Sequence, residues 1–138
     1  MPTRITTAIF LAIAAEFSAE PAAAQQQSRV AFEPGASSAT ISGTITGQEV
    51  IDYALGASAG QTLEASIAVD GTNGDGTIYF NIMPPGATYE AIFLGQREGR
   101  KASVVLPESG DYTLRVYLMG NDRDAGKTVG FLLPVAIR

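Results

Sequence analysis

The segment LPESGDYTLRVYLMGNDRDAGK, residues 106–127, contains a turn, a strand and a polar loop in succession. Residues 107–110 have the composition of a turn, because proline fixes φ and glycine accepts positive φ. From Tyr112 to Leu118 apolar and polar residues alternate, which predicts a strand with one buried face. Residues 120–126 include no apolar side chain larger than alanine, so they predict a surface loop.

The same alternation recurs along most of the chain. Short apolar rows are separated by turn signals roughly every 8–12 residues, and no helical period follows the N-terminal region. This pattern predicts an all-β fold, an antiparallel β-sandwich of about eight or nine short strands of jelly-roll type. Asp52 is expected to point outward from its strand. The predicted strands cover residues 29–32, 39–46, 51–55, 62–69, 78–82, 91–94, 102–106, 112–118 and 129–137.

Three segments add detail to this pattern. Residues 25–28 are polar and predict a loose N-terminal tail. Residues 70–76, DGTNGDG, predict a glycine-rich hairpin turn, since they lack the spacing of a calcium loop. Pro134 lies within the last predicted strand, and because proline cannot donate to a ladder it predicts an edge strand or a bulge.

The first 24 residues have the order of parts of an export signal. Arg4 supplies a positive start, residues 5–15 form a short apolar run, and residues 22–24 are three alanines that offer a cleavage site before Gln25. The alternative is an apolar N-terminus with no targeting role. We expect a signal peptide over residues 1–24 and a single exported domain over residues 25–138, with no membrane insertion after cleavage.

Composition excludes several kinds of chemistry. The chain has no cysteine, histidine or tryptophan. It therefore has no thiolate nucleophile, no Ser-His-Asp triad and no zinc site of histidine and cysteine ligands. No pair of carboxylates is placed by the pattern in a common cleft, so we expect neither an enzyme nor a cofactor.

The charge balance bears on the choice of partner. The formal net charge is −5, and removal of Arg4, Glu16 and Glu20 with the leader would change it to −4. A mildly acidic surface argues against nucleic acid and anionic membranes and favours a basic partner.

Two polar segments allow more than one interpretation. Tyr112 shares a face with Leu114 and Val116, so its ring could serve the core while its hydroxyl group bonds to backbone. The loop after this strand could be solvated, could contact a partner, or could hold calcium through Asp122 and Asp124.

Three segments taken in order resemble a known family. They are residues 30–39 (VAFEPGASSA), residues 45–61 with ITG at 45–47 and GQ at 60–61, and residues 106–116 (LPESGDYTLRV) followed by Asn121 and Asp122. In this order they resemble the periplasmic inhibitors of goose-type (g-type) lysozyme from Gram-negative bacteria. More loosely, the Gly-Gln and Ser-Gly-x-Tyr segments are similar to bacterial prepeptidase C-terminal domains, which are also β-sandwiches.

The resemblance implies a function and a set of contact residues. Inhibitors of this family protect peptidoglycan by inserting loops into the substrate cleft of the lysozyme, so the implied partner is a g-type lysozyme. The hypothesis needs the loops around Ser109 and Arg123 to lie on one rigid rim. The alternative is a non-inhibitory, prepeptidase-like structural or glycan- and envelope-binding module. The implied lysozyme-binding residues are Ser109, Gly110, Asp111, Tyr112, Asn121, Asp122, Arg123 and Gln48.

Overall fold

The computed structural model describes residues 25–138, which form two β-sheets with two one-turn helices. The expected signal peptide, residues 1–24, lies outside the described residues. The prediction of an all-β sandwich is confirmed. No helix within residues 25–138 has the length and apolarity needed to cross a bilayer. The elements are β1 (Gln25–Arg29), β2 (Ser38–Thr46), β3 (Val50–Ala57), β4 (Thr62–Ser66), β5 (Ala68–Thr72), β6 (Ile78–Met83), β7 (Phe93–Leu94), α1 (Gly95–Glu98), β8 (Lys101–Val105), β9 (Gly110–Leu118), α2 (Gly120–Asp124) and β10 (Thr128–Ile137).

Each sheet is built around one long strand near the C-terminus. Sheet A has the strand order β1-β3-β9-β6-β7, so the strand predicted from residues 112–118 is its central member. Sheet B has the order β2-β10-β4-β8, and β5 also pairs with β10. All pairings are antiparallel except that of β1 with β3, which is parallel.

The core lies between the two sheets and consists of the inward rows that the alternation predicts. In β9, Tyr112, Leu114 and Val116 are fully buried, and Phe131 of β10 faces them from the other sheet. Full burial of one such aliphatic side chain stabilises the fold by about 1.5–3 kcal/mol. Phe80 and Phe93 stack with ring centroids 5.2 Å apart, which fixes the short edge strand β7 against β6.

The strand count differs from the prediction because residues 62–69 form two strands. The pairing of this segment with β10 is interrupted around Ile67, whose backbone N–H bonds to the carbonyl of Arg100 and so continues the pairing of β4 with β8. Strand β10 pairs with β5 up to Leu132 and with β4 from Val135 onward. Pro134 therefore lies in an internal strand opposite this interruption, where its missing N–H costs no ladder bond on that side.

Three local predictions are wrong. The tail at residues 25–28 belongs to β1, which occupies the edge of sheet A beside β3 and ends at Arg29, so the first strand precedes the predicted range of residues 29–32. The glycine-rich segment is not a hairpin turn, because β5 lies in sheet B and β6 in sheet A, so residues 73–77 cross between the sheets. The segment after β9 is the short helix α2 and not an irregular loop, and residues 95–98 likewise form α1.

Candidate functional site

The central strand β9 separates the predicted contact residues into two groups. Ser109 precedes β9 and Arg123 lies in α2, directly after its other end. A strand of nine residues has a length of roughly 27 Å. Gln48 lies at the α2 end, because the next strand begins at Val50, which pairs with Tyr117. The expectation that Ser109 and Arg123 share one rim is therefore wrong.

Tyr112 supports the fold and cannot contact a partner with its side chain. Its side chain is fully buried at the start of β9. Its hydroxyl group donates to the carbonyl of Glu108 at 2.6 Å and accepts from the N–H of Glu108 at 3.1 Å. Both bonds close the turn that precedes β9, so the aromatic ring and the turn are fixed together.

Ser109 and Asp111 of the Ser-Gly-x-Tyr segment are held by hydrogen bonds but remain accessible to solvent. The Ser109 hydroxyl accepts from the backbone N–H of Ala59 at 2.9 Å. Asp111 pairs with Arg29 at 2.9 Å, and both side chains remain more than half exposed. This ion pair lowers the pKa of Asp111, first through the side-chain hydrogen bond and then through the charge of Arg29.

Asp122 also has a structural role. Asp122 is fully buried, and its two carboxylate oxygens accept hydrogen bonds from the backbone N–H groups of Asp75 at 2.8 Å and Thr77 at 2.6 Å. These backbone hydrogen bonds lower the pKa of Asp122. The carboxylate thus holds the crossover of residues 73–77 against α2, and its oxygens are not available as calcium ligands. Residues 25–138 contain no group of three or more acidic side chains placed to hold a metal ion.

At the α2 end, a groove of about 590 Å³ brings Gln48 and Arg123 together. Gln48 and Asn121 are exposed, and the Arg123 side chain is 42% exposed. The Arg123 guanidinium is oriented by Asp124 at 2.9 Å. The groove is lined by Gly47, Gln48, Glu49, Val50, Asn81, Gln96, Arg115, Tyr117, Leu118, Met119, Arg123 and Asp124.

The wall that carries Gln48 is a tight turn packed on the backbone that follows α2. Gly47 has φ of 58° and its N–H bonds to the carbonyl of Lys127 at 2.9 Å. A Cβ atom at this position would lie 3.2 Å from the Cα of Gly126, so both conformation and space favour glycine. The Glu49 carboxylate closes the turn by accepting from the N–H of Thr46 at 3.0 Å. The Gln48 wall and the Arg123 wall are therefore held in a fixed relation.

The floor of the groove is a polar network on the outer face of sheet A. Arg115 forms two hydrogen bonds to Asp52, at 2.8 and 2.9 Å, across the paired strands β3 and β9. Tyr117 donates its hydroxyl group to Asn81 at 2.8 Å. Burial raises the pKa of Tyr117, and the hydrogen bond with Asp52 is the main cause that raises the pKa of Arg115.

This floor was not predicted from the pattern of residues. Asp52 points outward from the core, as expected, but it is buried under Arg115 on that face and not exposed to solvent. A signal was present in the sequence, because Arg115 and Tyr117 occupy successive outward positions of the central strand β9. What could not be read was the cross-strand register that places Arg115 opposite Asp52.

Comparison with known proteins identifies similar structures. The crystal structure of PliG from Aeromonas hydrophila, a periplasmic lysozyme inhibitor of g-type lysozyme, is 34% identical over 83% of this chain and 97% of its own, with a TM-score of 0.73. A mutant of the PliG inhibitor from Escherichia coli is 28% identical over 83% of this chain and 100% of its own, with a TM-score of 0.64. No family model and no curated protein matches the sequence.

A more distant structure has the same fold. The pre-peptidase C-terminal domain of a collagenase from Bacillus anthracis is 16% identical over 83% of this chain and 97% of its own, with a TM-score of 0.54. At this identity the likeness concerns the sandwich alone. The 34% identity with the Aeromonas protein, over 83% of this chain, is high enough to show the family as well as the fold. It agrees with the resemblance carried by residues 30–39, 45–61 and 106–116. The chain belongs to the PliG family, whose characterised structures are periplasmic inhibitors of g-type lysozyme.

Proposed function

We propose that the protein is a periplasmic inhibitor of g-type lysozyme that acts by blocking the substrate cleft of the enzyme. The observation that carries the proposal is 34% identity over nearly the whole length of a periplasmic g-type lysozyme inhibitor. The mechanism is steric, so it requires neither proton transfer nor a cofactor. It requires a preformed surface whose side chains lose little freedom when the partner binds.

The groove at the α2 end is the part of the surface that we assign to the cleft. Gln48 and Arg123 line the groove and are accessible, and Asn121 is exposed on the same helix as Arg123. The turn and the helix that carry these residues are fixed to each other. A partly exposed guanidinium suits a cleft that contains a catalytic carboxyl group, because charge-assisted hydrogen bonds are the stronger kind. Ser109, Gly110 and Asp111 lie a strand length away, so a cleft that holds Arg123 would meet them at its margin or not at all. Cleft blockade by the α2 end therefore replaces the single rim expected from the sequence, and the family relationship supports it.

The proposed function is tested by lysis of a peptidoglycan suspension. Purified protein, residues 25–138, is added to g-type, chicken-type and invertebrate-type lysozymes, and the loss of turbidity is followed. Inhibition of the g-type enzyme supports the proposal. Undiminished lysis by the g-type enzyme at excess protein refutes it, and retention of the same protein on peptidoglycan would select the envelope-binding alternative.

A pair of matched variants tests which end enters the cleft. Arg123→Ala removes a guanidinium at the groove, and Asp111→Ala removes an exposed charge at the opposite end. Both side chains are in exposed surface ion pairs, which contribute little to folding because water screens them, so neither variant should unfold. We expect Arg123→Ala to raise the half-inhibitory concentration by roughly tenfold. A loss confined to Asp111→Ala would assign the cleft to the other end.

We also propose that residues 1–24 are an export leader removed before Gln25. Cleavage at that position would leave β1 whole, since β1 is Gln25–Arg29. The test is the N-terminal sequence of the protein recovered from a periplasmic fraction. Cleavage within β1, or recovery of the uncut chain from the cytoplasm, would contradict this assignment.

A further inference from the structure

The loop between β6 and β7, residues 84–92, carries the most exposed large hydrophobic side chain among the described residues. Tyr89 is 86% exposed, compared with 68% for Val105 and 39% for Leu132. A tyrosine in water exposes an apolar ring that gains free energy when a partner covers it, and its two side-chain torsions cost little entropy to fix. Among the described residues, Tyr89 is therefore the large side chain that stands to gain most from a partner that covers it.

The loop is held in place by its own turn and by the sheet. Pro85 and Gly86 occupy the central positions of a β-turn, where Gly86 has φ of 77° and the N–H of Ala87 bonds to the carbonyl of Pro84 at 3.2 Å. At the far end, the N–H of Ile92 bonds to the carbonyl of Ile82 at 2.8 Å. A side chain on such a loop is presented in a restricted set of positions.

One residue connects this loop to the groove. Arg115, which lines the groove, also donates to the carbonyl of Thr88 at 3.2 Å. Arg115 is itself fixed by its two hydrogen bonds to Asp52. After Asp52, the neighbouring Tyr89 phenol is a smaller cause of the raised pKa of Arg115, which agrees with a position near the guanidinium. Tyr89 thus lies on the same outer face of sheet A as the groove.

The charges around Tyr89 indicate the character of the surface that it meets. Tyr89, Glu90 and Glu108 line a shallow hollow of about 520 Å³ beside the two prolines of the loop. Both glutamates are exposed, and neither forms a salt bridge within residues 25–138. A partner surface that covers this hollow is therefore favoured if it is apolar at the tyrosine and basic around it.

We propose that residues 84–92 form a second lysozyme-contacting element and that Tyr89 is its anchoring side chain. This inference rests on the proposed function, since it names the partner as a g-type lysozyme. The Tyr89 loop lies at the Ser109 end of β9, since Met83 of β6 pairs with Thr113. The docking face then extends along the outer face of sheet A, from the groove at the α2 end through Arg115 to this loop at its margin. Tyr89 covers apolar surface at the margin of the cleft and increases the lifetime of the complex.

The test compares Tyr89→Ala with Val105→Ala in the lysis assay against a purified g-type lysozyme. Val105 is the matched control, because it is also exposed and apolar but lies in β8 of the opposite sheet. We expect Tyr89→Ala to raise the half-inhibitory concentration at least about tenfold, with an unchanged melting temperature, and Val105→Ala to change neither. Equal potency of wild type and Tyr89→Ala would overturn the inference and leave the proposed function standing.

A second measurement does not depend on a variant. Hydrogen exchange of the wild-type protein is followed with and without saturating g-type lysozyme. Slower exchange across residues 84–92 in the complex is expected, and unchanged exchange there in a complex that does form would overturn the inference. If no g-type lysozyme binds or is inhibited by the wild type, the proposed function fails and this inference fails with it.

Discussion

Removal of the Tyr112 hydroxyl group separates a structural role from a contact role. In Tyr112→Phe the ring keeps its shape, and the two hydrogen bonds to Glu108 are lost. Each such bond contributes about 0.5–1.5 kcal/mol, and because Glu108 is exposed, water can replace part of what is lost. We expect a loss of about 1–2 kcal/mol in the free energy of unfolding. For a domain of this size that lowers Tm by roughly 4–8 °C.

The assay for this prediction has two readouts, the melting temperature and the half-inhibitory concentration against a g-type lysozyme. Tyr112→Phe should lower the first and leave the second unchanged at 25 °C, because the buried ring never meets the partner. Tyr117→Phe is the control, since its hydroxyl group bonds Asn81 in the groove and its loss should affect inhibition more than folding. Weaker inhibition by Tyr112→Phe with an unchanged melting temperature would refute the reasoning.

Three further predictions follow from the other polar contacts. Asp122→Asn should lower the melting temperature by roughly 5 °C at neutral pH. Because the pKa of Asp122 is lowered in the folded protein, its carboxylate stabilises the fold at pH above the ordinary pKa of 3.8, and this stabilisation is lost as the pH falls through the folded pKa. Melting temperatures measured across acidic pH should therefore depend less on pH in Asp122→Asn than in the wild type. Arg115→Met should lower the free energy of unfolding in urea by about 2–4 kcal/mol, because the buried Asp52 carboxylate loses the guanidinium that it pairs with. Adding Asp52→Leu to the same chain should recover most of this loss. No recovery would show that the ion pair stabilises the fold by more than the cost of burying its two charges. Arg29→Ala should change the melting temperature by less than about 2 °C, since its pair with Asp111 is exposed, and a larger fall would indicate that β1 depends on this contact.

Much of the fold was readable because alternation is a local property. The inward rows of β9 and β10 were read residue by residue, since side chains on a strand point to opposite faces with a period of two. The interruption around Ile67 was not readable from that residue, because Ile67 continues the alternation. The pairing places Pro134, which cannot donate, opposite Ser66 at this interruption. The segment around residues 73–77 has the composition of a hairpin turn but crosses between the sheets, since turn composition does not reveal which sheet the next strand joins.

The amino-acid sequence by itself determined the sandwich, the family and the central strand, because period-two patterning and short motifs are properties of neighbouring residues. Only the tertiary structure decided which polar side chains are available to a partner. Tyr112 and Asp122 are buried by contacts with backbone, while Gln48 and Arg123, far apart in the chain, meet in one groove. One physical reason is that a strand of about 27 Å, β9, separates the Ser109 segment from the Arg123 segment. The other is that the register between paired strands is set by contacts between residues far apart in the sequence.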